Sequence, residues 1–265
     1  MDYSSYKHMQ FERRERILTI TLNRPPMNPI HYELHNELAR LWYQVQLDHD
    51  SDVIIFTGAG ECFSAGGDIH EFSQSVKLGA DTAVRDFVRR GQAMTARLEA
   101  FRKPVIAAVN GIAFGGGCEI TEAVHLAVAS DQALFAKPEI NLGMPPTFGG
   151  TQRLPRLAGR KRALELLLTG DTFSPARALE IGLINQVVPH AELMRAARSL
   201  AARIMRHSPL AAGGIIAAVT RGLNMEIAEG LQMESEQFAR MIPTHDLGEG
   251  LAAWIARRKP VYAGR

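Results

Sequence analysis

The sequence predicts an α/β fold, a strand-bearing core followed by an all-helical tail. Two observations carry this. Up to about residue 188, short β-branched runs closed by glycine or proline alternate with stretches whose apolar residues recur at helical spacing. Beyond His190 no strand pattern returns, and helical stretches follow one another to the end. A chain of 265 residues can bury one large core or a core with an appendage. We divide it into a core at 1–195 and a helical region at 196–265.

The first strand is 17–22, ended by Asn23-Arg24-Pro25-Pro26, because proline has no N–H to give to a ladder. Leu34, Leu38, Leu41 and Val45 then mark a helix across 30–47. His31 and His35 stand one turn apart on it. With no third ligand nearby they read as surface histidines, although such a pair could share a metal. Residues 52–58 form a second buried strand. In the loop after it Gly66-Gly67 precede Asp68, which with Glu71 three positions on gives a helix start of capping-box type.

A polar helix covers 82–101 and stops at Lys103-Pro104. The apolar strand 105–109 follows, then Asn110-Gly111, then Gly115-Gly116-Gly117 opening a helix through 118–123. Another strand spans 125–129. Residues 135–143 form a loop, in which Glu139 by itself reads as a solvated glutamate. The basic helix at 151–168 carries Arg153, Arg156, Arg160, Lys161 and Arg162 as a solvated face. Ser174-Pro175 and Ser208-Pro209 are N-cap and first-turn pairs that start helices at 174–181 and 208–222. A short strand spans 184–188, and helices cover 190–206, 225–242 and 246–257.

Charge and composition exclude several classes. A formal net charge of +2 is too small to argue for nucleic acid or an acidic membrane surface. Cys62 and Cys118 are the only cysteines, so neither a disulfide framework nor a four-cysteine zinc site is available. The N-terminal stretch is polar, and no apolar run approaches the roughly 20 residues that span a bilayer. The expectation is a cytoplasmic protein with no metal, no membrane partner and no nucleic-acid partner.

Most chemistry is concentrated at 110–119. A strand, a glycine turn and a helix start aim unpaired N–H groups, at the positive end of a helix dipole, toward negative charge. Glycine lets a ligand approach the main chain. Glu119 sits two residues beyond the last glycine. Anion-stabilising amides beside a proton carrier are the ingredients of enolate chemistry, though the same glycines would also serve a plain tight turn. No Gly-Lys-Ser/Thr follows them, so a phosphate loop is not indicated.

Taken together, several segments resemble the enoyl-CoA hydratase/isomerase (crotonase) family. They are Phe63-Ser64-Ala65-Gly66-Gly67-Asp68-Ile69, the run from Lys103-Pro104 through Gly115-Gly116-Gly117-Cys118-Glu119, Pro138-Glu139-Ile140 with Leu142-Gly143, and Gly149-Gly150-Thr151-Gln152-Arg153-Leu154. Further matches are Leu168-Thr169-Gly170-Asp171, the segment 182–189, and Glu249-Gly250 with Lys259-Pro260, so the resemblance runs from Ile17 to Pro260.

The resemblance implies a spiral of ββα units with a C-terminal helical region that assembles homotrimers or dimers of trimers. It implies an acyl-CoA substrate whose coenzyme A is part of the substrate, with no separate cofactor. The Gly67 and Gly116 amides would form an oxyanion hole for the thioester oxygen, with Glu119 and Glu139 as the acid/base pair of a hydratase. By the same resemblance the CoA moiety lies along Ala65, Gly66, Asp68 and Ile69 and the loop after Arg24. Trp254 would cover the acyl chain, and Arg257 would meet nucleotide phosphates; from the residues alone Trp254 reads as core and Arg257 as exposed.

Two departures from the family pattern stand out. Met144-Pro145-Pro146-Thr147-Phe148 puts phenylalanine where a small residue is usual, and His125 replaces a common acidic residue. Double-bond isomerisation and specialised dehydration are the neighbouring activities of the fold, and an RNA-binding hydratase homologue is the rival from another class.

Overall fold

The computed structural model describes residues 1–265. The chain begins with β1 (Met9–Arg14), β2 (Ile17–Leu22), α1 (Tyr32–Gln46), β3 (Val53–Gly58), β4 (Cys62–Ser64) and α2 (Ile69–Lys77). α3 (Ala80–Ala83) and α4 (Arg89–Glu99) are joined by a π-helical turn at Val84–Val88. Next come β5 (Val105–Val109), β6 (Ile112–Phe114), α5 (Gly116–Ala123), β7 (Leu126–Ser130) and β8 (Leu134–Ala136). A 3₁₀ turn at Pro138–Leu142 leads to α6 (Gly150–Ala158), α7 (Arg160–Thr169), β9 (Thr172–Phe173), α8 (Pro175–Glu180) and β10 (Gln186–Val188). The tail is α9 (Leu193–Ile204), α10 (Pro209–Gly222), α11 (Ile227–Met241) and α12 (His245–Ile255).

The strands form two sheets, ordered β1-β2-β3-β5-β7-β10 and β4-β6-β8-β9. Pairing is parallel except for β1 with β2 and β8 with β9. Three consecutive pairs, β3/β4, β5/β6 and β7/β8, each give their first strand to the larger sheet and their second to the smaller. The chain therefore coils, one ββα turn after another, as expected.

Parallel strands covered on both faces are apolar throughout, and β3 and β5 are buried along their whole length. Their side chains alternate between two cores. Ile54, Phe56, Val105 and Ala107 face Leu34, Leu38 and Leu41 of α1 and Leu98 of α4. Ile55, Ile106 and Ala108 face Leu193, Ala197 and Ala201 of α9. Since α9 closes the outer face of the large sheet, the strand-bearing body extends to Ile204, and the boundary drawn at 195 falls inside this helix.

Several local expectations are corrected. β1 was not anticipated, because only Met9 on it is buried. The helix expected at 151–168 is interrupted by Gly159 at φ +80°. His35 is buried rather than at the surface, and Trp254, read from the residues as core, is 86% exposed. No helix is long and apolar enough to cross a membrane.

Candidate active site

The smaller sheet builds the site. Its parallel strands β4, β6 and β8 pair so that their C-terminal ends lie side by side. Each strand is followed by one of the residues singled out above: Gly67 after β4, Gly116 after β6, Glu139 after β8. The same point in three successive coils is thus brought to one edge. Close approach at that edge explains the glycines. A Cβ on Gly66 would stand 2.6 Å from the Gly116 nitrogen, and one on Gly115 would stand 3.4 Å from Glu139 Oε1. Gly66 and Gly115 also have φ of +90° and +50°, a region other residues rarely enter.

The Gly67 N–H has no hydrogen-bond acceptor. Gly116 is the first residue of α5, where the N–H has no intrahelical partner. Both glycines lie beneath aromatic rings. A Cβ on Gly67 would be 2.6 Å from the Phe87 ring and one on Gly116 2.9 Å from the Phe148 ring. Those two rings pack at 5.0 Å. Phe148, the departure noted in the sequence, forms a wall directly against Gly116.

Glu119 is 1% exposed, and its Oε1 accepts the N–H groups of Phe148 at 2.9 Å and Gly150 at 2.7 Å. Glu139 is 7% exposed, so the solvated reading it received in isolation is wrong. It follows Pro138, which stands at the first position of the 3₁₀ turn after β8. Neither Glu139 carboxylate oxygen has a hydrogen-bond partner. Burial raises its pKa, with Glu119 adding to the effect and Lys137 opposing it.

Two further charged residues stand in the same pocket, and sequence reasoning missed them. Lys137 is fully buried, with Nζ 3.7 Å from Glu119 Oε1, 3.8 Å from Glu139 Oε1 and 3.2 Å from Glu122 Oε1. Burial works against its ammonium, but Glu119 and Glu122 outweigh that and its pKa is raised. Burial pushes Glu122 up to about 7, with Lys137 opposing the rise. The signal was in the sequence: Glu119 and Glu122 share one face of a short, otherwise uncharged helix, and a lysine sits immediately before Pro138-Glu139.

Arg24 donates to Asp68 Oδ2 at 2.8 Å, and Asp68 caps α2 by accepting from His70 N and Glu71 N. The reciprocal half of a capping box is absent, since Glu71 accepts from Tyr32 N instead. Ala65 donates its N–H to Met27 O, and Ile69 is exposed at the start of α2. Trp254 stands on the outer side of α12, outside this buried cluster. His125 Nδ1 accepts the Val105 N–H at 3.0 Å, while its Nε2 lies 3.3 Å from Glu99 O, so it fastens the start of β5 to the end of α4. His31 approaches His8 and Glu33 rather than His35, their ligand atoms lying within 4.8 Å of one another.

Comparison with known proteins follows the same lines. A model of the family described as enoyl-CoA hydratase/isomerase matches residues 12–265. The short-chain-enoyl-CoA hydratase of Clostridium acetobutylicum is 38% identical over 250 residues, covering 94% of this chain and 94% of that protein. The crotonyl-CoA hydratase of Syntrophomonas wolfei is 37% identical over 263 residues, covering 98% of this chain and 100% of that one. The crystal structure of an enoyl-CoA hydratase from Bacillus anthracis superposes with a TM-score of 0.91 at 35% identity, covering 98% and 100% of the two chains. With its coiled ββα core, its paired glycine turns and these relatives, the chain belongs to the enoyl-CoA hydratase/isomerase family.

Proposed function

We propose that this protein is an enoyl-CoA hydratase, which adds water across the 2,3 double bond of an acyl-CoA thioester and catalyses the reverse dehydration. The observation that carries this reading is a pair of glutamates in opposite surroundings beside two free glycine amides. Glu119 accepts two main-chain N–H groups, which favour an anionic acceptor. Glu139 has no donor on either oxygen and is held toward its protonated form by burial.

In the hydration direction, Glu119 takes a proton from water as the oxygen bonds to C3. The C2–C3 π electrons move toward the thioester, and negative charge collects on its oxygen as the enolate. The Gly67 and Gly116 N–H groups stabilise that oxygen. Glu139 then delivers its proton to C2. A positioned acid or base typically contributes about 10²–10⁴-fold, and one oxyanion donor about 10²–10³-fold.

The reading takes coenzyme A as part of the substrate, with no further cofactor. Its polar portion would lie along Ala65, Gly66, Asp68 and Ile69, near the guanidinium that Arg24 holds against Asp68. Assembly as a trimer or dimer of trimers belongs to the same proposal. Ile215, Val219, Leu223, Ile227, Trp254 and Ile255 are each more than half exposed, an apolar surface that a second copy would cover. Trp254 could reach an acyl chain only across such a contact. A cytoplasmic location is supported by two buried free thiols, Cys62 and Cys118.

A panel of 2-enoyl-CoA thioesters, followed by loss of the conjugated-thioester absorbance, tests the reading. Wild type should hydrate at least one member, and Glu119→Gln and Glu139→Gln should each lower kcat by about 10²-fold or more while remaining folded. A shifted double bond without hydration would make the protein an isomerase instead.

A further inference from the structure

The hydratase reading uses Glu119 and Glu139 and leaves the charged pair between and behind them unexplained. Lys137 Nζ lies within 4 Å of three carboxylates, each supplied by a different place on two segments: Glu119 and Glu122 on α5, Glu139 on the 3₁₀ turn. The fold makes room for it. A Cβ on Gly150 would be 2.4 Å from Lys137 Nζ and 2.9 Å from Glu119 Oε1. Glu122 Oε1 faces the ammonium and accepts the Cys118 thiol at 3.7 Å, while its Oε2 has no partner.

Such a pair is a poor device for stability. Removing two charges from water costs several kcal/mol per ion, and apolar residues of equal volume usually serve as well or better. Its position argues for another role. Three ionised carboxylates facing one ammonium, all of them buried, would hold the most uncompensated negative charge, and retaining a proton on one of them reduces it. Protons are therefore favoured on some of the acids, and the ammonium decides which.

We propose that Lys137 and Glu122 are positioning residues that divide the protons between the two catalytic glutamates. The Lys137 ammonium stands against the carboxylate that serves as base, and the Glu122 carboxylate offsets enough of that field for Glu139 to keep its proton as acid. Neither residue needs to touch substrate. The inference rests on the hydratase reading for its consequence in turnover, but the proton distribution itself is a property of the free protein.

The groups facing this pair are few. Cys118, Glu119 and Glu122 come from α5 and Glu139 from the 3₁₀ turn. From α6 Arg153 turns away to Glu99 of α4. Behind Glu122 a cavity of about 570 Å³ brings up Glu99, His125, Arg153, Arg156 and His207.

The test compares Lys137→Met, Glu122→Gln and the neutral double variant Glu122→Met/Lys137→Met. Two readouts are taken: carboxyl ¹³C NMR titration of Glu119 and Glu139, assigned by their Gln variants, and the pH profile of kcat/KM for crotonyl-CoA. The acid limb reports the ionised base and the alkaline limb the protonated acid, as macroscopic values of the coupled set.

Lys137→Met should move both limbs to higher pH by at least about one unit, with a larger fall in kcat than change in KM. Glu122→Gln should move them to lower pH. The double variant should fall between the two. Limbs and carboxyl titrations that stay within about 0.3 unit of wild type in folded variants, however much Tm drops, would overturn the proposal. Should Lys137→Met not fold, an unmoved Glu122→Gln profile overturns it equally. If wild type hydrates nothing, the hydratase reading fails while the NMR titration still decides this one.

Discussion

Two buried carboxylates in this molecule, Asp48 and Glu139, have opposite surroundings and behave oppositely. Around Asp48, at the C-terminal end of α1, Tyr3 donates at 2.8 Å, Arg13 at 2.5 Å, Ser51 at 3.2 Å and the Asp50 N–H at 3.1 Å. Burial acts to raise the Asp48 pKa, but those donors prevail and it is lowered. Around Glu139 both oxygens are without donors, the Lys137 ammonium is unpaired by hydrogen-bond geometry, and burial raises the pKa. Evolution can satisfy a buried carboxylate in this fold and has done so at Asp48. Leaving Glu139 without donors is what the proposed role as proton donor requires, and packing alone does not call for it.

The contrast can be broken or sharpened by pressing on each cluster separately. The largest effect is expected from Gly116→Ala. The added methyl meets the Phe148 ring at 2.9 Å and displaces the N–H that the proposed mechanism uses as an oxyanion donor, so kcat/KM for crotonyl-CoA should fall about 10²–10³-fold while the Asp48 network and its Tm contribution stay intact. Asp48→Asn should do the reverse. It should cost about 1–3 kcal/mol, read as a drop in Tm of roughly 2–4 °C per kcal/mol, with kcat unchanged. A collapse of activity there would erase the distinction.

The smallest and most specific effect is the pH dependence of stability. Asp48 is depressed in the folded state, so its contribution is present above its ordinary value of 3.8 and is lost as pH falls through the folded value. Glu139 is raised, so its contribution is present below its ordinary value of 4.5 and is lost as pH rises through the folded value. Urea denaturation should therefore show Glu139→Gln gaining on wild type as pH rises above 4.5, and Asp48→Asn losing most of its deficit only in acid. Parallel curves for the two variants would contradict the assignment.

Much of this was legible in the chain itself, and the failures have physical causes. β2, β3 and β5 are five or six residues long, β-branched and without charge, and helices such as α1 announce themselves by period. The strands of the smaller sheet are two or three residues long, too short for any period to register, so the edge that assembles the site was invisible without the resemblance. Glu139 illustrates this: a glutamate after a proline in a short loop is ordinarily solvated, and only the neighbouring coils bury it. His35 failed for a nearer reason, since it adjoins the Leu34 and Leu38 stripe and turns edge-on to Phe148 at 5.5 Å. Trp254 failed in the opposite direction, because a helix's apolar face does not say whether its cover comes from the same chain. Lys137 and Glu122 were in view, but charge at a core position carries meaning only once its depth is known.

Gly67, Gly116 and Glu139 occupy corresponding stations on consecutive windings of a spring. Lengthening an outer turn, such as the exposed one at Leu78 and Gly79, leaves those stations aligned, whereas a single inserted residue between β4 and Gly67, or between β8 and Glu139, would rotate one station away from the other two. The architecture thus separates what can vary from what cannot: new reactions can arise by exchanging the side chain at one station, with the spacing along each winding held fixed.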